Sequence, residues 1–490
     1  MEFTAPDINI FYALPATIVA VWAVLIMILD MIYPREEQGF MPYFTALGLV
    51  VAVVATLLTW GLEGGSFTSN GVSMIIVDGY VHFLNIIFLG TGLLTVLIAS
   101  NYLNKNRIEE DTEFYMLLLF SVCGMMLMGM ANDLILVFIS LELLSIPLYV
   151  MCGIARPRQE SEESAMKYFL LGAFASGFLV FGIALLYGST GSTSLPEVAQ
   201  GFDGALSYAG LAMFLVGLAF KVGAVPFHMW TPDVYDGAPT AVTAFMSVGA
   251  KVGGFAAMIR FFALAIPESA AEIWVPAVAI IAALTMVLGN VVAISQSNMK
   301  RLLAYSSIAH GGYILMAVAA IPYSDQAISG ALTYMMAYMF TNLGAFAVVM
   351  LVEKNMDEGV TIDDYRGLSQ QNFMVALVLA YFMFSLIGMP LTGGFIGKFV
   401  VFQAAIDANL VWLAIIGVIA SAISAYYYLR VVFYMFMQEG EAEAAFIRPV
   451  NAAVAIALVG TVAIGFTPGP WIDLAQDAVM IASQALLAGG

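Results

Sequence analysis

The chain has 490 residues, of which 62% are hydrophobic and only 10% charged, and its mean hydropathy is +0.94. Those values exclude a soluble domain and leave a polytopic membrane protein. The formal net charge of −18 comes from acidic loop residues on both faces and says little about partners.

A hydrocarbon core of ~30 Å takes about 20 apolar residues per helix, and about 14 such runs can be read along the chain. They lie near 11–32, 43–62, 76–100, 114–131, 133–155, 165–188, 207–226, 240–266, 275–295, 301–320, 327–352, 373–406, 410–436 and 450–467. The first is not expected to be a cleavable signal, because Glu2 and Asp7 stand where such a signal carries Lys or Arg. The fold class is therefore all-α, and no hydrophilic stretch is long enough for a soluble domain.

Glu142 stands in the fifth run, about nine residues in, so at ~1.5 Å per residue it lies near the bilayer centre. The seventh run carries Lys221 and is broken by Val225-Pro226 and the acidic, Pro-rich run ending at Thr240. Lys251 lies about eleven residues into the eighth, too deep to snorkel comfortably. Arg260, farther along the same run, reads as an interfacial anchor. His310 follows Lys300-Arg301 in the tenth run and could hand protons between lysines. Lys398 lies in the twelfth, which is broken by Met389-Pro390 and the glycines 393, 394 and 397. Such breaks survive in a bilayer only where protein or water satisfies the freed backbone groups.

Charges at this depth are expensive and rarely accidental, so Glu142, Lys221, Lys251 and Lys398 point to an ion pathway. Burial disfavours a charged amine and a nearby carboxylate favours it, so a Glu142–Lys221 pair that forms and breaks would alter the lysine's hold on its proton. The bland alternative is a buried salt bridge that fixes packing. It is weaker for Lys251 and Lys398, for which the sequence offers no second mid-membrane carboxylate. His82 and His228 read as structural, and Cys123 and Cys152 as core packing. No metal or nucleotide motif is present, so any redox cofactor is expected on other chains.

The two breaks fall five helices apart, which predicts two inverted five-helix repeats, helices 4–8 and 9–13, spanning 113–266 and 275–436. Residues 1–112 and 437–490 flank them in one transmembrane domain. Loops after odd-numbered helices hold or adjoin Arg35, Lys105, Arg107, Arg156, Arg158, Lys167, Lys300, Arg301, Lys354, Arg366, Arg430 and Arg448. By the positive-inside rule both termini are expected on the outer side of a bacterial inner membrane.

Four stretches, LELLSIPLY at 141–149, GLAFKVGAVPFHMWTPDVYDGAPT at 217–240, QSNMKRLLAYSSIAHGGYILM at 296–316 and SLIGMPLTGGFIGKFVVF at 385–402, resemble one family. It is the antiporter-like membrane subunits of proton-pumping NADH:quinone oxidoreductase, respiratory complex I. The resemblance implies that Glu142 pairs with Lys221, that Lys251 is the central relay with His310 along the polar axis, and that Lys398 is the terminal site. It also implies partner membrane subunits, especially subunits M and K and the lateral helix of subunit L, and a peripheral arm carrying flavin mononucleotide (FMN) and iron–sulfur clusters. Subunit M usually has glutamate where this chain has Lys398. Subunit L shares the lysine but adds a lateral helix for which the residues after Gly465 leave no room. Two alternatives share the fold: a subunit of a multi-subunit sodium/proton antiporter, and a scaffolding subunit that moves no protons.

Overall fold

Nineteen helices and one small hairpin make up the computed structural model, which describes residues 7–480 apart from 70–71, 107, 109–110, 355, 357–358 and 479. Glu2 and Arg107 lie outside the described residues. The helices are α1 (Leu14–Ile32), α2 (Met41–Leu58), α3 (Gly79–Lys105), α4 (Asp111–Met130), α5 (Leu134–Cys152), α6 (Gln159–Thr190), α7 (Leu195–Gly201), α8 (Gly204–Val222), α9 (Trp230–Gly237) and α10 (Thr240–Leu264). There follow α11 (Ala271–Ala293), α12 (Met299–Ala320), α13 (Ala327–Val352), α14 (Leu368–Gln371), α15 (Phe373–Ile387), α16 (Gly393–Asp407), α17 (Val411–Met437), α18 (Arg448–Phe466) and α19 (Pro468–Gln476). Among the described residues thirteen helical segments are long and apolar enough to cross a membrane. The remaining expected crossing, 373–406, is the pair α15 and α16, each of 15 residues and short for a span. The chain is a multi-pass, all-α membrane protein.

Three helices form the interior. The apolar stretch of α10 is buried over 100% of its length, and those of α12 and α13 over 94% each, whereas α1 and α6 keep only 28% covered. The outer helices thus present their apolar sides to lipid or to other membrane helices, and any polar group on α10, α12 or α13 must find its partner inside the protein.

Both breaks end their first half-helix at a glycine, earlier than the prolines suggest. Gly223 closes α8 at φ +71° and Gly388 closes α15 at φ +89°, left-handed values that suit glycine after a helix. Pro226 and Pro390 follow and stop the helix from resuming. Past the first break, the run expected to be irregular is the short helix α9. Past the second, Thr392 caps α16 by accepting from the Phe395 amide at 3.4 Å.

Two expectations need correction. The segment after α2 is an antiparallel hairpin, β1 (Gly64–Ser69) with β2 (Val72–Val77), so α3 starts at Gly79. Its alternating Ser, Thr, Ile and Val are strand-like, and the sequence reading absorbed the last of them into a helix. Arg260 is no interfacial anchor. It is 1% exposed, its Nη2 donates to Asp78 Oδ1 and Oδ2 at 2.9 and 3.0 Å, its Nε donates to the Gly129 carbonyl at 2.9 Å, and its guanidinium lies 5.1 Å from the Tyr80 ring centre. Asp78, which the sequence reading did not single out, also accepts from the Val81 amide at the start of α3. The pair binds the C-terminal end of α10 to α3 and α4. His82 is structural as expected, its Nε2 set 3.1 Å from the Leu62 carbonyl, and Cys123 and Cys152 are buried free thiols.

Removing one member of a buried pair strands the other charge, a loss of about 3–5 kcal/mol. Arg260→Ala should therefore lower the thermal midpoint of the detergent-solubilised protein, and adding Asp78→Ala should cost less than the sum of the two single losses. An unchanged midpoint for Arg260→Ala would remove the pair from the account.

Candidate functional site: a buried row of lysines

Five expected residues form one row across the interior, in the order Glu142, Lys221, Lys251, His310 and Lys398. The first two are not in contact. Half-buried Glu142 on α5 accepts from Ser176 Oγ of α6 at 2.5 Å. Lys221, in the last turn of α8 and 3% exposed, donates to Ser145 Oγ at 2.7 Å and Tyr168 Oη at 3.3 Å. Ser145 and Ser176 help wall a cavity of ≈ 10 Å³ together with Lys221, about the space one water needs. The carboxylate and amine thus stand apart, each held by hydroxyls, with two serines and a water-sized gap between them.

Small residues bring Lys221 toward Lys251. A Cβ on Gly254 of α10 would lie 3.3 Å from Lys221 Cγ and 2.9 Å from Val222 Cγ1, so the lysine stem passes over that glycine one turn from Lys251. Lys251 is 3% exposed and donates to Ser307 of α12 through both its hydroxyl and its carbonyl oxygen. One turn farther along α12, His310 Nδ1 meets Tyr334 Oη at 2.5 Å and its Nε2 meets Tyr428 Oη at 3.4 Å. Tyr428 in turn bonds Ser306. The Tyr338 ring packs 5.0 Å from the imidazole and 5.8 Å from the Lys251 amine, linking the two.

Lys398 closes the row at the second break. Its Nζ donates to the Leu386 and Ile387 carbonyls at 3.0 and 2.8 Å and to Ser421 Oγ at 2.8 Å, above the Tyr313 ring at 4.7 Å. Those carbonyls belong to the last turn of α15, where the helix leaves acceptors unsatisfied and its dipole favours a cation. A second cavity of ≈ 10 Å³, walled by His310, Tyr334, Tyr338, Ser385 and Leu386 among others, joins this end to the imidazole. Ser421 is only half-buried, so the row ends near the side of the bundle.

Among the described residues no carboxylate pairs with Lys221, Lys251 or Lys398; carbonyl and hydroxyl oxygens solvate all three. Such oxygens accept from an ammonium, and the hydroxyls also donate to a neutral amine, so the surroundings tolerate both protonation states. That is what a proton relay requires and what a fixed salt bridge lacks.

The sequence reading missed the hydroxyl carriers, Ser145, Ser176, Ser307, Ser421, Tyr334 and Tyr428, because serine and tyrosine are common in apolar helices. Tyr334 and Tyr338 recur four apart, a signal that was there to be seen. It also missed a cleft of ≈ 320 Å³ at the Lys/Arg-rich end, lined by Lys167, Asp233, Asp236, Lys300 and Arg301 among others. There Asp233 pairs with Lys167 and with Arg301, each at 3.0 Å. Lys300, expected at the surface, is 1% exposed and donates to the Asp236 and Ala238 carbonyls at 2.6 and 2.7 Å, holding the end of α9. His228 lies half-buried in the break, away from the row's contacts.

Comparison with known proteins gives a consistent answer. Residues 131–424 match the family described as NADH:quinone oxidoreductase/Mrp antiporter, TM. The chain is 43% identical over 484 residues to an NADH-quinone oxidoreductase subunit N from Trichlorobacter lovleyi, covering 97% of this chain and 98% of the relative. A protein of the same description from Salinibacter ruber is 46% identical over 441 residues, covering 88% and 86%. Among solved structures, a chain of respiratory complex I from Thermus thermophilus with bound aureothin aligns with a TM-score of 0.81 and 35% identity over 94% of this chain and 99% of that one. A chain of the Mrp complex from Dietzia, at a TM-score of 0.85 but 19% identity over 96% and 97%, shares the fold.

Gly388 tests how tightly Lys398 is placed. A Cβ there would lie 2.9 Å from Lys398 Cδ at φ +89°, whereas Gly191, at φ +75°, has nothing within 4 Å of its Cβ position. Both alanine variants incur the left-handed penalty of about 1–2 kcal/mol, and only Gly388→Ala also displaces the lysine. Gly191→Ala should lower thermal stability and leave proton transport per folded protein intact, while Gly388→Ala should reduce both; equal transport in the two variants would contradict a tightly placed Lys398.

Proposed function

This chain belongs to the NADH:quinone oxidoreductase/Mrp antiporter membrane family, and on that premise we propose that it moves protons along the row from Glu142 to Lys398 as subunit N of an NADH:quinone oxidoreductase. The observation that carries the reading is the oxygen-only solvation of three buried lysines, which lets each gain and lose a proton without stranding a charge. The Mrp-type antiporter reading has the shared family match and the fold, but only 19% identity to the Dietzia Mrp chain against 43% to a subunit N.

In this reading Glu142 and Lys221 work as a switch. A carboxylate drawn across the small cavity toward Lys221 holds the amine charged; withdrawn to Ser176, as here, it leaves a buried ammonium that favours release. The proton passes to Lys251, the Ser307 hydroxyl orienting the receiving amine. His310, with a tyrosine hydroxyl at each ring nitrogen, carries it onward by accepting at one nitrogen and donating at the other. Lys398 holds it against the end of α15 until a change in its surroundings releases it. Protons reach the row from the Lys/Arg-rich face at the cleft beside α9; by the positive-inside rule that face is the inner one and both termini lie on the outer side of a bacterial inner membrane.

The matched breaks and their glycine ends support two inverted five-helix units, 113–266 and 275–436, as the architecture that sets the row at mid-membrane. The energy source lies on other chains. FMN and iron–sulfur clusters belong to partner subunits, and membrane subunits M and K and the lateral helix of subunit L are the expected neighbours.

The test is proton transport by the purified complex in proteoliposomes. Glu142→Gln, which keeps size but not charge, should assemble normally and lower both pumping and quinone reduction by about tenfold or more, in line with removal of a proton-transfer group. Glu142→Asp should be milder. An assembled Glu142→Gln complex that pumps at the normal rate would sink the row as the transport path.

A further inference from the structure

Among the described buried carboxylates outside the row, Glu353 alone carries an oxygen without a partner. Glu353 directly follows α13 and is 1% exposed. Its Oε1 accepts from Tyr102 Oη of α3 at 3.1 Å, while Oε2 is buried without a partner. Facing it are Tyr102 and Lys105 from α3, Lys300 from α12, Thr240 from α10 and Tyr365 from the turn Ile362–Tyr365. Lys105 donates to its main-chain oxygen at 2.6 Å and not to the carboxylate. A carboxylate at the end of a helix meets the negative end of the dipole, and an amide would accept from Tyr102 as well, so packing alone gives no reason for a glutamate here. Burial pushes the carboxyl above its usual range, with the Lys300 charge opposing.

From Glu353 inward, the contact between α10 and α13 keeps a file of polar groups. Thr240, Ser247 and Lys251 recur on one face of α10, and Asn342 and Tyr338 on one face of α13. Asn342 Nδ2 donates to Ser247 Oγ at 2.7 Å across the seam, and Tyr338 lies beside Lys251. Four polar atoms along this seam, Glu353 Oε2, Thr240 Oγ1, Asn342 Oδ1 and Tyr338 Oη, are buried without a partner. Each costs about 1–3 kcal/mol if left dry. Four such atoms in one seam between Glu353 and Lys251 mark it as wet.

We propose that the α10–α13 seam is a hydrated proton path from the Lys/Arg-rich face to Lys251, loaded by Glu353. The proposal rests on the proton-pumping reading above and adds a second route to the central lysine. Neutral Glu353 gives its carboxyl proton to the water file, the neutral Lys251 amine takes one from the far end and becomes an ammonium, and the Glu353 carboxylate is reprotonated from solvent through the cleft beside Lys300.

The experiment uses the whole complex in proteoliposomes, with pumping and quinone reduction followed against pH. Glu353→Gln keeps the shape and the Tyr102 contact, and should slow both by about tenfold, short of the ~100-fold lower end for loss of an acid–base group because the route beside α9 stays open. It should also remove one ionisation from the pH profile, and Glu353→Asp should restore most of the rate and that ionisation. Asn342→Leu, which leaves every titratable group in place but dries the seam, should slow pumping in the same way. A Glu353→Gln complex with normal rate and pH profile overturns the proposal. If that variant does not assemble, a normal rate in Asn342→Leu overturns it. Glu142→Gln is run in parallel: normal pumping there defeats the underlying reading, whereas a slow Glu142→Gln beside a normal Glu353→Gln defeats the seam alone.

Discussion

Three lysine amines sit buried in the interior of the bundle with no counter-ion among the described residues. An ammonium taken into a low-dielectric interior loses several kcal/mol of solvation even after the protein relaxes, and here the replacement solvent is carbonyl and hydroxyl oxygen. At the second break the interrupted helix supplies part of it. An intact helix keeps its carbonyls to itself, whereas the last turn of α15 offers those of Leu386 and Ile387 to Lys398. At the other break the Phe220 carbonyl, freed by the end of α8, is taken by Trp230 Nε1 at 3.0 Å, and the lysine next to it turns to Ser145 and Tyr168. Glycine is needed at both ends because the chain must turn left-handed there, and at Gly388 because the lysine stem lies against it.

Oxygen solvation also sets the function apart from the structural ion pairs of the same molecule. Arg260 with Asp78 is a fully buried pair in which one guanidinium nitrogen donates to both carboxylate oxygens, built from a residue that does not give up its proton. It fixes α10 at one end. The lysines carry no such lock, and the histidine between them is flanked by tyrosine hydroxyls. Helix α10 thus carries a locked charge pair near one end and an unlocked lysine at its middle.

Much of this was legible in the sequence because charge in an apolar run is conspicuous. Glu142, Lys221, Lys251, His310 and Lys398 all stand out against their neighbours, and Pro226 and Pro390 mark the breaks to within a few residues. What could not be read are facts that need two helices at once. Arg260 near a helix end looks like an anchor until Asp78 is folded against it. Lys300 beside Arg301 and Glu353 beside Lys354 look like loop charges until α3, α9 and α12 close over them. The Glu142–Lys221 pair was read as one that forms and breaks; that the structure holds the two apart, each on hydroxyls, could not be read, because reach depends on where Ser145 and Ser176 fall on separate helices. Helix α9 was hidden by its proline and acids, which suit a short helix as well as a loop.

The central claim is that Lys251 changes protonation state during turnover, and Lys251→Arg tests it most directly. The guanidinium keeps a cation of similar length and cannot release its proton at any accessible pH. In the assembled complex, the number of protons moved per NADH oxidised should fall, together with the rate of quinone reduction, relative to the unmodified complex. A Lys251→Arg complex that pumps at the normal ratio and rate would show that the site needs only a fixed positive charge, and the relay account would be wrong.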